Sequence, residues 1–286
     1  MSTKQIFVVI KDEFIYGGHL LSLGAVSIVF TSAILLNISI NWDFLIVVYL
    51  ITYIVYSYNR FKEYEEDFLT NYDRTQHLTK YIKYVPSIIF CLVLIVIGIL
   101  AYFGNQLGLI SGLLLLLFGL FYSMCFKKIT KKIVGFKNFY VSFFWAFLVI
   151  FLVFYYSSPF DFSVLLLFIF VFLRWLINTT FFDIKDIESD KKYNLNTIPV
   201  LYSKNKTLNY LHIVNIFSLA LIIIVVYKNI FSVSFLLLSF FYFYSFYYIQ
   251  KTKSGSVNIN KLSYIMVDGE YLLWPIVLIL GKFICL

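Results

Sequence analysis

Nine apolar runs, joined by links of two alternating kinds, constrain this chain more than any other feature. The runs lie at about 18–37, 43–59, 86–103, 107–126, 138–157, 162–182, 208–227, 230–250 and 264–284. Each approaches the roughly 20 residues that a helix needs to cross a hydrocarbon core about 30 Å thick. Lipid supplies no hydrogen bonds to a backbone, so the runs must be helices unless a closed barrel forms, and nothing in their pattern suggests strands. The last run is interrupted by Asp268 and Glu270. The composition agrees, since 61% of the 286 residues are hydrophobic and 13% are charged, against roughly 25% charged in a soluble domain. The expectation is an all-α, polytopic membrane protein, a single domain over 1–286 with nine transmembrane helices around a central cavity.

The links set the orientation. Asn37–Trp42, Gly104–Gln106, Ser157–Asp161 and Lys228–Asn229 are short and almost free of basic residues. The links 60–85, 127–137, 183–207 and 251–263, with the N-terminal tail, hold 20 of the 23 Lys and Arg. Basic loops stay on the cytoplasmic side, so the N-terminus and all long links are predicted to face the cytoplasm, with the C-terminus outside. The net charge of +8 is therefore a topological signal, not a nucleic-acid footprint. The lipid bilayer is the implied surrounding, and nothing points to a required protein partner.

Against this background the acids stand out. Asn59, Glu63 and Asp67 follow the second run at i, i+4, i+8 and share one stripe if the helix continues. Asp183, Asp186 and Asp190 follow the sixth run at i, i+3, i+7, and Arg174 and Asn178 extend that line inward. Close carboxylates repel, and burying them costs several kcal/mol unless they are paired. A divalent cation removes both penalties, and Mg²⁺ typically takes one or two carboxylates and leaves positions for phosphate oxygens. Two such stripes over a greasy bundle suit a diphosphate with an apolar tail. Solvated cytoplasmic faces and i, i+4 salt bridges such as Lys62 with Glu66 explain either stripe alone equally well.

The link 127–137 carries five lysines and no acid. Attraction to anionic headgroups accounts for Lys131, Lys132 and Lys137, while Lys127 or Lys128, beyond Tyr122, can reach a diphosphate. Arg174 lies some eight residues inside its run, where charge is expensive and defaults to a functional role. A structural ion pair with an acid of the ninth run is the alternative. His19, His77 and His212 show no metal spacing, and no Gly-rich phosphate loop is present.

The chain resembles the UbiA-type intramembrane prenyltransferase superfamily. Asn59-x-x-x-Glu63-x-x-x-Asp67 is similar to its first motif, and Asp183-x-x-Asp186-x-x-x-Asp190 to its second. The run DIKDIESDKKYNLNTIPV from Asp183 to Val200 resembles the stretch that ends in the family's Thr-Leu-Pro-like step. Tyr122-Ser123, Lys127-Lys128, Lys137-Asn138 and Trp145 resemble its connection between the fourth and fifth spans. The chain departs from the pattern at Glu63, where Asp is usual, at Arg60, where several branches have Asp, and at Asn194, where Gly is frequent. Of a Pro-x-Arg-Pro step only Arg74 remains.

The resemblance implies transfer of a prenyl group from an isoprenyl diphosphate donor to an aromatic or other hydrophobic, membrane-associated acceptor. It implies Mg²⁺ held with the diphosphate by Asn59, Glu63, Asp67, Asp186 and Asp190, with Asp183 helping. Arg74, Lys127 or Lys128 and Arg174 would neutralise the leaving group, and Tyr122 and Asn178 would line the substrate cavity. Two other readings stay open: a transporter or channel using Arg174, Asp268 and Glu270 as an intramembrane path, and a non-catalytic lipid-binding relative.

Overall fold

The computed structural model describes residues 3–68, 71–255 and 258–284. Among the described residues, nine helices are long and apolar enough to cross a membrane. They are span 1 (His19–Leu36), span 2 (Trp42–Lys62), span 3 (Ile82–Phe103), span 4 (Gln106–Met124), span 5 (Phe136–Tyr155), span 6 (Phe162–Lys185), span 7 (Lys204–Tyr227), span 8 (Val233–Lys253) and span 9 (Ile259–Gly281). No strand occurs among the described residues. The nine apolar runs of the sequence thus become nine helices, with ends displaced by a few residues.

Neighbouring spans close a ring in the order 1, 2, 4, 5, 6, 7, 8, 9 and back to 1, with span 3 packed outside on spans 2 and 4. Spans 5 and 6 are the most buried, and span 3 is the least buried. The main core is apolar and aromatic: Phe44, Trp145, Phe151, Phe170 and Trp274 are all buried in it. Trp145, Trp175 and Tyr271 form a parallel stack, with centroids 3.6 Å and 4.6 Å apart. Close helix approach is bought by glycine at one critical point. A Cβ at Gly119 of span 4 would meet Val55 Cγ2 at 2.4 Å and Phe144 Cε2 at 2.9 Å, so only glycine admits spans 2 and 5 there.

The ring is not uniform. Six spans (1, 2, 4, 5, 6 and 9) contribute to the wall of the central cavity, and spans 7 and 8 brace it from behind. Span 9 is broken, as Asp268 and Glu270 suggest. A π-turn at Ser263–Val267 is followed by two turn residues before the helix resumes at Glu270. Backbone freed from a helix inside a membrane must find partners. Tyr244 Oη donates to Met266 O at 3.0 Å, and Asn178 Nδ2 to Val267 O at 3.3 Å.

Candidate active site

The cavity opens at the end of the bundle that carries the long basic links. Its volume of about 180 Å³ is more than ten times the roughly 10–15 Å³ that one water needs, so it admits a multi-atom ligand. The inner wall is apolar and aromatic, with Val55, Tyr140, Phe144 and Trp175. The rim is polar and charged, with Asn59, Arg60, Glu63, Asp67, Arg74, Lys137 and Asp186.

The first motif reaches the rim through a kink. Span 2 ends at Lys62, Glu63 caps it at φ −100° and ψ 14°, and a short helix, Tyr64–Asp67, follows. The i→i+4 ladder survives, because Glu63 N–H donates to Asn59 O and Asp67 N–H to Glu63 O, both at 2.9 Å. Asn59, Glu63 and Asp67 therefore all line the cavity. Ser123 Oγ donates to Asn59 Oδ1 and turns that amide toward span 4. Arg74 Nη2 meets Asp67 Oδ2 at 2.6 Å, and Asn71 Nδ2 donates to Asp67 Oδ1 at 3.0 Å. Burial pushes the Asp67 carboxyl up, but Arg74, with Lys185 and Arg60, pulls it further down, to a net value below the usual carboxylate range.

The second motif divides. Span 6 ends at Lys185, Asp186 sits at the bend, and a short helix, Ile187–Lys192, follows. Asp186 lines the cavity; its Oδ1 lies 3.4 Å from Lys185 Nζ and accepts no hydrogen bond. Asp183 does not line the cavity. It is fully buried, accepting from Lys137 Nζ at 2.8 Å and Asn138 Nδ2 at 2.7 Å. Asp190 is buried behind the rim, and its Oδ2 has no partner. Burial raises the Asp190 carboxyl to about 7; Lys137 works against that rise, while Asp183 and Asp186 add to it.

The link after span 6 is locked to the link before span 5. Asn196 N–H donates to Thr130 O at 3.1 Å, its side chain to Lys131 O at 2.6 Å, and Gly135 N–H to Asn196 O at 3.3 Å. Asn194 adopts φ 54°, a left-handed conformation that Gly and Asn reach most easily.

Arg174 is placed differently from its expected diphosphate role. It does not line the cavity but lies among spans 6, 7, 8 and 9. Its Nη2 contacts Glu270 Oε1 at 2.6 Å, Nη1 donates to Asn215 Oδ1 at 2.7 Å, and Nη2 to Phe241 O at 3.1 Å. Every arm of the guanidinium is occupied, and the arrangement is the structural ion pair with an acid of span 9. Asn178 and Tyr122 do line the cavity. The side chains of Lys127 and Lys128 lie outside the described residues.

Several rim residues escaped sequence reasoning. Headgroup attraction accounts for Lys137 in the sequence, yet its side chain lines the cavity and bridges to Asp183. Asn71, Tyr264 and Lys185 tie the link after span 2 to the end of span 6 and the start of span 9, since both Tyr264 Oη and Lys185 Nζ donate to Asn71 Oδ1. The one signal for Lys185 was its position inside the acidic run; Asn71 and Tyr264 carried none. Among the described residues, no group of three or more His, Cys, Asp or Glu is close enough to form a metal cluster by itself. Mg²⁺ needs only one or two carboxylates. Asp186 Oδ1 at the rim and Asp190 Oδ2 behind it accept no hydrogen bond and are hard donors, so the residues fit such an ion.

Fold and cavity together define a polytopic helical membrane protein with a charged rim over an apolar chamber. A model of the UbiA prenyltransferase family matches residues 20–264. The chain belongs to that family. It is 33% identical over 104 residues to a digeranylgeranylglyceryl phosphate synthase of Methanosphaera stadtmanae, a match spanning 35% of this chain and 38% of that protein. Its fold resembles an apo UbiA homolog from Aeropyrum pernix K1, with TM-score 0.72 and 16% identity over 92% of this chain and 97% of the other. It also resembles a UbiA homolog from Archaeoglobus fulgidus bound to GPP and Mg²⁺, with TM-score 0.68 and 13% identity over 94% and 99%.

Proposed function

We propose that the chain transfers a prenyl group from an isoprenyl diphosphate, with Mg²⁺, to an aromatic or other lipid-precursor acceptor inside the membrane. The observation that carries this reading is that Asn59, Glu63, Asp67 and Asp186, from two separate spans, share one rim above an aromatic chamber. The Archaeoglobus homolog bound to GPP and Mg²⁺ supports the same reading. Asn59, Glu63, Asp67, Asp186 and Asp190 would hold the metal with the diphosphate. When bound, Mg²⁺ supplies charge stabilisation to the departing diphosphate.

The chain's own groups do the rest. Arg74 and Lys137 add positive charge at the rim, and charge-assisted hydrogen bonds to phosphate oxygens are the strong kind. Asp183 acts through Lys137, fixing its ammonium at the cavity edge. The faces of Tyr56, Tyr140, Phe144 and Trp175 exclude water from the allylic carbon and stabilise positive charge developing there. The concentration of basic links at the rim supports a cytoplasmic active site in the cell membrane. No feature of the ring favours a transporter, because Arg174 and Glu270 neutralise each other in a closed wall.

Glu63→Ala and Asp186→Ala test the reading. Each should lower Mg²⁺-dependent diphosphate release from geranyl diphosphate by about 100-fold or more while the protein stays folded. Undiminished release in both variants would overturn the site.

A further inference from the structure

Of the four carboxyl groups that line the cavity, one is not used by the donor site. Asp268 lies on span 9 one helical turn inward of Tyr264, whose hydroxyl binds Asn71 at the rim. It is 6% exposed and lines the cavity. Oδ1 accepts from Asn178 Nδ2 at 3.2 Å, and no ion pair reaches the carboxylate among the described residues. The charges of Lys185, Arg60 and Arg74 act on it only through space. A carboxylate buried within a span without a cation is costly, and such groups default to function. The neighbouring pair makes the contrast plain: Glu270, two residues on, is matched by Arg174 at 2.6 Å.

Two further polar groups line the same cavity. Tyr56 Oη accepts from Trp145 Nε1 at 3.0 Å, which leaves its own O–H to donate. Trp175, whose ring also lines the cavity, has an Nε1–H with no hydrogen-bond partner. Tyr56 is three residues inward of Asn59, and Asn178 is eight residues inward of Asp186. The group therefore sits about one to two helical turns below the rim. An acceptor arriving beside the allylic carbon would meet it.

We propose that Asp268, positioned by Asn178, is the acceptor-binding and proton-accepting residue, and that the acceptor is a hydroxyl-bearing molecule. An ionised carboxylate can only accept hydrogen bonds, so its partner must donate. A carboxylate or phosphate group of the acceptor is excluded from this position by like charge. In the step, the C1–O bond to the diphosphate breaks and its electron pair leaves on the diphosphate. A lone pair of the acceptor hydroxyl oxygen forms the new C1–O bond, and the hydroxyl proton passes to the Asp268 carboxylate. The proposal rests on the donor site described above.

The test uses the full-length protein in detergent with Asp268→Asn and Asp268→Glu. The affinity for geranyl diphosphate with Mg²⁺ is measured by calorimetry. Transfer of labelled geranylgeranyl is measured to three probes: geranylgeranylglyceryl phosphate and hydroquinone, which bear hydroxyls, and benzoate, which does not. Wild type is expected to prenylate a hydroxyl-bearing probe. Asp268→Asn should lose about 100-fold or more in transfer while its donor affinity stays within threefold, and Asp268→Glu should recover part of the loss. Thermal stability gives a separate readout: removing an unpaired buried charge should leave Asp268→Asn at least as stable as wild type, whereas a merely structural carboxylate would show a loss. Transfer by Asp268→Asn within threefold of wild type overturns the proposal. So does a wild type that binds donor but prenylates only benzoate or none of the probes. A wild type that binds no geranyl diphosphate overturns the donor site itself, which separates the two failures.

Discussion

Glu270→Ala offers the sharpest test of how the closed side of the ring is held. The Arg174 and Glu270 side chains are 1% and 3% exposed. Besides Glu270, the guanidinium bonds Asn215 Oδ1 at 2.7 Å, Phe241 O at 3.1 Å and Ser245 Oγ. Neutral acceptors solvate the arms but do not cancel the charge. Removing one partner of a buried pair typically costs about 3–5 kcal/mol, because the other charge is left uncompensated. At roughly 2 °C per kcal/mol, the lower end of the scale for long chains, the thermal midpoint should fall by about 6–10 °C. Glu270→Gln keeps an acceptor oxygen and should fall less. The double change Arg174→Met with Glu270→Met removes both charges and should recover most of the loss. The assay is thermal unfolding of the detergent-solubilised protein followed by tryptophan fluorescence. Arg174 lies off the cavity wall, so folded Glu270→Ala should bind geranyl diphosphate within threefold of wild type. A midpoint within 2 °C of wild type, or a double variant as unstable as the single one, would refute the reasoning.

Three other perturbations follow from named contacts. Asp67 is held below its usual value chiefly by Arg74, against burial, so it adds stability above the ordinary value of 3.8 that is lost as pH falls through its folded value. The stability difference between wild type and Arg74→Gln, measured by thermal unfolding, should therefore shrink as pH drops below about 4. Asp190 is raised to about 7, so its contribution is present below 3.8 and is lost as pH rises through about 7. In the proposed site Mg²⁺ would displace that proton, so calorimetry should show affinity weakening by at most tenfold per pH unit below about 7 and a level response above it. Proton uptake by buffer at pH 6.5 should vanish in Asp190→Asn. At Gly119, an alanine Cβ would fall 2.4 Å from a stiff Val55 methyl. Gly119→Ala should lower the thermal midpoint in proportion to an overpacking cost of about 1–3 kcal/mol, and Val55→Ala should relieve it.

What the sequence made legible follows from range. Hydropathy over 20 residues finds a helix because burial in lipid is set by composition, and the nine spans came from that alone. The i, i+4 stripe at Asn59, Glu63 and Asp67 was legible because hydrogen bonds four residues apart hold its register even where the helix kinks at Glu63. Contacts between distant segments were not. Glu270 is 96 positions from Arg174, and nothing local distinguishes a guanidinium aimed at a cavity from one aimed at span 9. Asp183 shows the same limit. Its spacing groups it with Asp186, yet the loop pairing through Asn196 brings Lys137 and Asn138 onto it and withdraws it from the rim.

The placement of the rim acids is itself an argument about selection. Glu63 caps the C-terminal end of the span 2 helix, Asp186 caps that of span 6, and Asp67 closes its own short helix. Helix C-termini carry a partial negative charge, so acids there are unfavourable by about 0.3–1 kcal/mol each. Stability alone would put lysine at these positions, and lysines do stand one residue earlier, at Lys62 and Lys185. Each cation thus partly screens its helix end while the acid beyond it faces the cavity. Such an arrangement gains from a bound cation what it loses when empty: at a ligand concentration of 100 times Kd, binding adds about 2.7 kcal/mol to stability. That exceeds the summed cost of three misplaced acids at the middle of their range. The rim therefore favours a bound cation in addition to the positive charge that Arg74 and Lys185 already place at Asp67 and Asp186.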